Sequence, residues 1–207
     1  MAAPRWFFGF DSLMEIIAFV IAVAVAYQAL KGYRLSKERT LLYLNFSFIL
    51  LGAGLLIDSL SNVFVLMGGF HRGLLFLSAI GYTINFIAQF LAFGILVVAY
   101  IHQTRSVSSQ ATLVVLPAVT FFEHNALAEL ILMFLLIFIS AQTGINYGVT
   151  KAKNALLVFA AFASLAVSHF FFLLFTFAPI FFPFAHIAQL FGFLLLLAML
   201  LRVNQPQ

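Results

Sequence analysis

The side chains that could carry chemistry in this chain are six acids and five histidines, and they are unevenly placed. Glu15, Asp58, Glu129 and His186 each fall about three to five residues inside the end of an apolar segment, at a rise of about 1.5 Å per residue. If those ends face one side of a bilayer, the four groups share a layer roughly 5 to 8 Å deep. Three carboxylates and an imidazole at one depth suit a hard or borderline divalent metal, or the carriage of protons. His169 lies deeper, near 12 Å by the same rise, while His71 and His124 fall in connections at the rim. His186, His169, His71 and His124 are therefore the candidate metal ligands, and Asp58, Glu129 and Glu15 the candidate ligand-binding or proton-coupling acids.

Each has a plainer reading. Ser12-Leu13-Met14-Glu15 has the pattern of a capping box, in which the glutamate bonds back to the start of its own helix. Glu129 follows Asn125 closely, where negative charge suits a helix dipole. His186 follows Pro183 at a helix start and fits an interfacial histidine. Asp58 stands apart: it is near the carboxyl end of its segment, where the dipole disfavours an anion, so a paired or functional role is expected.

Spacing organises further polar residues into stripes. Ser47, Gly54, Asp58 and Ser61 recur at steps of three, four or seven, which puts them on one helix face. So do Ser78, Tyr82, Asn85 and Gln89, and so do Asn125, Glu129, Met133, Leu136 and Ser140. Ala18, Ala22 and Ala26 continue the face below Glu15. Small and polar residues of this kind either hold helices together or line a polar cavity; Asn85 and Gln89 join the candidate site on the second reading.

The elements that must position these residues are membrane helices. With 65% hydrophobic and 8% charged residues, the chain is too apolar for a soluble domain, which carries about 25% charge. The net charge of +4 reflects basic residues beside apolar spans rather than a surface for nucleic acid, and the absence of cysteine removes thiolate metal sites. Apolar segments run over about 12–31, 40–66, 73–101, 107–122, 126–146, 154–177 and 183–202, most of them near the roughly 20 residues of one crossing. The fourth is short and contains Pro117. The basic residues after the first segment have the polarity of a retained span rather than a cleaved signal.

Charge decides the topology. If all seven segments cross, Lys31, Arg34, Lys37, Arg39, Arg105, Lys151, Lys153 and Arg202 share one side, and only Arg5 and Arg72 the other. If the fourth does not cross, the split becomes five against five and the bias expected of a membrane protein is lost. The expected fold is therefore an all-α integral membrane domain over 1–207 with seven transmembrane helices, amino terminus outside and carboxyl terminus inside.

Residues 12–37 return in degenerate form at 126–151: Glu15 meets Glu129, Gln28 meets Gln142, Tyr33 meets Tyr147 and Lys37 meets Lys151, at an offset of 114. Three crossings reverse the chain and a fourth restores it. Helices 1 to 3 (about 12–103) and 5 to 7 (about 126–203) are thus expected as two parallel repeats joined by a linker helix at about 107–122, with a site between the copies. In this arrangement the chain resembles the sugar-transporting SWEET and PQ-loop group, and more distantly the microbial rhodopsins. The resemblance covers topology over the whole chain and implies a transport-type site between copies. Gln28 and Gln142 follow Tyr27 and Ala141 rather than proline, so it does not extend to proline hinges. No lysine falls in the last segment, so it does not extend to a retinal Schiff base.

The expected function is a membrane binding protein, carrier- or receptor-like, with an outward polar cavity for a small-molecule ligand. Two alternatives follow from the same residues. One is a subunit of a redox complex holding a divalent metal or a b-type haem, although neither cofactor is required; the depth difference between His169 and His186, about 8 Å, argues against those two as axial ligands. The other is a non-catalytic assembly or sensor subunit beside partner membrane subunits. No phosphate loop, nucleophile elbow, zinc-protease motif or dinucleotide fingerprint appears, and Leu190 stands four after His186, where ceramidase-like enzymes carry a second histidine. An enzyme is not expected. The run His169 to Phe184 packs phenylalanine at the outer end, as lipid contact or an apolar mouth. The default compartment is a prokaryotic plasma membrane.

Overall fold

Backbone polar groups cannot remain unbonded in hydrocarbon, so apolar segments of this length are forced into helices that satisfy them internally. A computed structural model describes residues 5–68, 72–104 and 126–205, and among these it contains six helices long and apolar enough to cross a membrane. They are α1 Arg5–Ser36, α2 Arg39–Gly68, α3 Arg72–Thr104, α4 Ala126–Thr150, α5 Lys153–Phe175 and α6 Phe181–Val203. The expected fourth crossing, at about 107–122, lies outside the described residues, as do His71, His124 and Asn125. α4 to α6 thus correspond to the fifth to seventh expected segments.

The helices outrun the apolar segments that announced them. α1 has 32 residues, about 48 Å of helix against a hydrocarbon core of about 30 Å. Its start corrects the capping-box reading: Ser12 lies inside the helix, its Oγ donating to the Phe8 carbonyl at 2.8 Å, so Glu15 has no helix start to cap.

Two helix ends are built alike. α1 closes with Lys37 at φ 59°, its N–H donating to the Tyr33 carbonyl at 2.8 Å. α4 closes with Lys151 at φ 52°, donating to the Tyr147 carbonyl at 2.8 Å. Such a left-handed residue ends a helix by capturing one of its orphan carbonyls. Ser36 Oγ donates to the Gly32 carbonyl and accepts from Glu38 N–H; Thr150 Oγ1 repeats this with Asn146 and Ala152. Each lysine ammonium then lies over its tyrosine ring, at 5.9 and 5.5 Å. Every member of one cap stands 114 residues from its counterpart.

The six helices form a closed ring in chain order, with α1 against α2 and α6, and α3 meeting α4 more sparsely. Polar contacts give the directions. Asp11 meets His186 near the starts of α1 and α6, and Asn204, just past α6, donates its amide to the Gln28 carbonyl at 2.8 Å near the end of α1. These two helices are parallel. Tyr82 meets Glu129 near the starts of α3 and α4, so they too run the same way. One end of the ring collects the starts of α1, α3, α4 and α6, and the other collects the basic caps.

The ring is filled by large side chains. Phe48, Phe93, Phe162 and Phe193 are fully buried, and Phe48 packs edge-on to Phe193 at 5.3 Å across the bundle. Phe48 and Phe162 are 114 apart; Phe93 and Phe193 are 100 apart. The second offset covers more than one residue, since Ile87-Ala88-Gln89 returns as Ile187-Ala188-Gln189 and Leu96 as Leu196. The expected match ends before this stretch, because an ungapped comparison at 114 misses α3 and α6. α5 and α6 have 23 residues each against 30 and 33 in α2 and α3, and these shorter helices shift the register.

Candidate functional site

Close helix approach positions the polar stripe of α3 against that of α2. A Cβ on Gly54 would stand 2.8 Å from the Ala88 Cβ and 3.1 Å from the Asn85 Cα, and one on Gly81 would stand 2.5 Å from Ser61 Oγ. Only hydrogen fits there, and the two backbones therefore pack tightly enough for short side chains to bond across the seam. Asn85 Nδ2 donates to Asp58 Oδ2 at 3.0 Å and reaches Glu15 Oε1 on α1 at 3.5 Å. Gln89, one turn along, donates from Nε2 to Asn85 Oδ1 at 3.1 Å. Glu15, Asp58, Asn85 and Gln89 are all buried and form one cluster drawn from three helices. Asp58 lies toward the carboxyl end of α2, against the dipole, and a donated amide helps hold it there.

A second chain runs one turn nearer the same end. Asn62 Nδ2 donates to Asp11 Oδ2 at 3.0 Å, and Ser78 Oγ donates to Asn62 Oδ1 at 2.6 Å. The other oxygen of Asp11 lies 3.0 Å from His186 Nε2. That distance suits an ion pair, but the alignment does not make a hydrogen bond, and neither ring nitrogen of His186 has a hydrogen-bonding partner. The imidazole is instead ringed by phenyl groups: Phe182 at 4.6 Å, Phe172 at 5.0 Å and Phe10 at 5.9 Å, all edge-on. Asp11 and Ser59, whose Oγ donates to the Ser12 carbonyl at 3.0 Å, tie α1 to α2 at this level.

The third group lies across the ring. Glu129 on α4 places Oε2 2.7 Å from His169 Nδ1 on α5 and accepts at Oε1 from the Tyr82 hydroxyl on α3 at 3.2 Å. With an ionised carboxylate, Nδ1 must carry the proton and donate. Both side chains are buried, so this is a desolvated pair held by two bonds rather than a surface ion pair.

Glu15, Asp58, Glu129 and His186 stand toward one end of the bundle, but they are divided among separate partners. Glu15 and Asp58 share Asn85, Glu129 holds His169, and His186 faces Asp11. Asp11 is not among the candidates read from the sequence, although its position four before Glu15 places it on the same helix face. Asn62, four after Asp58, follows by the same spacing. Among the described residues no group of three or more His, Asp or Glu side chains is close enough to hold a metal ion. His169 and His186 each turn to a different carboxylate, and the Phe172 ring packs against both. The phenylalanine run divides: Phe172 and Phe182 pack inward with Phe7, whereas Phe177 and Phe184 are exposed.

What this arrangement can do is hold and exchange protons or accept hydrogen bonds from a buried donor. No protein family, no curated protein and no solved structure matches the chain.

Proposed function

We propose that this is a polytopic membrane binding protein of carrier- or receptor-like type, whose ligand site is the acid and amide cluster at the outward end of the bundle. The observation that carries the reading is the burial of Asp11, Glu15, Asp58 and Glu129 at one end, each on a helix face turned into the ring. Charged groups in hydrocarbon are costly, and where they occur they mark ligand or proton paths by default.

In this reading the chain crosses seven times, with its amino terminus outside. Two facts support the seventh crossing. α3 ends at the basic end of the ring and α4 begins at the acid-bearing end, and 21 residues separate Thr104 from Ala126, about the length of one crossing. The eight-to-two division of basic residues supports the orientation. A prokaryotic plasma membrane is the compartment assumed.

Two parallel three-helix repeats frame the site. The matched caps at Lys37 and Lys151, the matched rings Phe48 with Phe162 and Phe93 with Phe193, and the ring order of the helices support this. Exchange of α1, α2 and α3 for α4, α5 and α6 leaves the pattern of neighbours unchanged. Glu15 and Glu129 are then equivalent positions, one in each repeat.

Uptake into proteoliposomes under an imposed pH gradient tests the reading, with Asp58→Asn and Glu129→Gln as variants. Solute flux that depends on the gradient and falls in both variants supports a carrier. Folded protein with neither ligand-dependent flux nor binding sinks the proposal in favour of packing roles for these acids.

A further inference from the structure

The acids at this end do not have equivalent surroundings. Asp11 faces His186, and Glu129 is bonded to His169. The charged neighbours of Glu15 are Asp58 and Asp11, both acids. Glu15 lies within hydrogen-bonding reach of the Asp58 carboxyl group, its Oε1 accepts a long bond from Asn85, and its Oε2 meets no other donor although the side chain is buried. Gln89 repeats the deficiency on a neutral residue: its Nε2 is used by Asn85, while its Oε1 is buried without a donor. An amide oxygen takes no proton, so a shift of protons among the acids does not serve it. Among the described side chains the lysines and arginines stand toward helix ends and in connections.

In the second half two of the cluster's positions lose their polar group, while Gln89 returns as Gln189. Phe172 stands 114 after Asp58, and Ala185 stands 100 after Asn85. Below Glu15 the buried face carries Ala18 and Ala22; below Glu129 it carries Leu132 and Leu136.

Resting on the binding-protein reading, and deepening it, we infer that Glu15, Asp58, Asn85 and Gln89 bind the ammonium group of a small primary amine. An ammonium supplies one positive charge and three N–H donors, which match Glu15 Oε2, Gln89 Oε1 and the Asp58 carboxylate. A divalent metal fits less well: among the described residues no three His, Asp or Glu side chains are grouped closely enough to hold one.

The test uses the full chain in lipid nanodiscs with radiolabelled methylammonium at constant ionic strength. Saturable binding is expected, weakened by about tenfold or more in Gln89→Leu and Glu15→Gln, as loss of a charge-assisted acceptor implies. Ethylammonium competes, and tetramethylammonium, equally charged but without N–H groups, does not. Gln89→Glu keeps the side-chain size and adds a charge, so it binds methylammonium more tightly; it decides the matter if the other variants do not fold. Absence of saturable binding to folded wild-type protein overturns the inference. So does equal competition by tetramethylammonium, displacement by sodium at lower concentration, or variants that bind as wild type. Amine binding without flux counts against a carrier and leaves the site standing; gradient-driven flux of other solutes without amine binding does the reverse.

Discussion

Glu129 and His169 meet across α4 and α5 with 2.7 Å between Oε2 and Nδ1, both side chains buried. Removing one partner leaves the other desolvated and unpaired, which costs about 3 to 5 kcal/mol in comparable buried pairs. Glu129→Leu and His169→Leu are each expected to destabilise strongly, while the double variant recovers much of the loss. Denaturant unfolding in mixed micelles measures this; additive losses would show that the two residues do not act as a pair.

Asn85 is the donor that joins α2 to α3 and reaches α1. Asn85→Leu keeps the volume and removes the donor, leaving Asp58 and Glu15 without it at a cost of about 1 to 3 kcal/mol. The same unfolding assay reads the loss. Asn85→Ser, short but still a donor, is expected to lose less.

Gly54 and Gly94 should respond oppositely to alanine. A Cβ at Gly54 meets Ala88 at 2.8 Å and the Asn85 backbone, so Gly54→Ala forces α2 from α3, with an overpacking cost of about 1 to 3 kcal/mol. Gly94 has nothing within 4 Å, so Gly94→Ala gains helix propensity of up to about 1 kcal/mol. Hydrogen exchange around Asn85 should quicken in the first variant alone.

The left-handed lysines predict a stabilisation. Lys37→Gly and Lys151→Gly each relieve a conformation that costs an L-residue about 1 to 2 kcal/mol, offset in part by the lost contact with tyrosine. Thermal unfolding of both variants should shift upward by similar amounts. A gain at one site and a loss at the other would mean the two caps are not equivalent.

Because the chain has no cysteine, single cysteines report sidedness cleanly. Lys37→Cys and Lys151→Cys are expected to react with an impermeant maleimide only from the inner face, and Gly73→Cys and Phe177→Cys only from the outer. Labelling of Lys37→Cys and Lys151→Cys from opposite faces would remove the parallel arrangement.

Much of this architecture was legible in residue spacing, for a physical reason. In a bilayer the helix is imposed, so a period of three to four translates directly into a face. Asp58, Asn85, Gln89 and Glu129 are accordingly buried as their stripes imply, and the 114-residue offset locates both lysine caps. Helix starts were less legible: lipid does not demand a break at Ser12, so α1 runs back to Arg5 through aromatic residues that are not a cap.

The sequence by itself determined a membrane class, helix faces and one end of the bundle rich in acids, because hydrophobicity and helical period are local properties. Only the tertiary structure decided which acid meets which partner. Glu129 takes His169, Asp11 takes His186, and Glu15 shares Asn85 with Asp58, because closure of the ring brings α1 to α6 and α3 to α4. Those pairings depend on helix rotation and backbone separation at Gly54 and Gly81, to which no single stretch of sequence is sensitive.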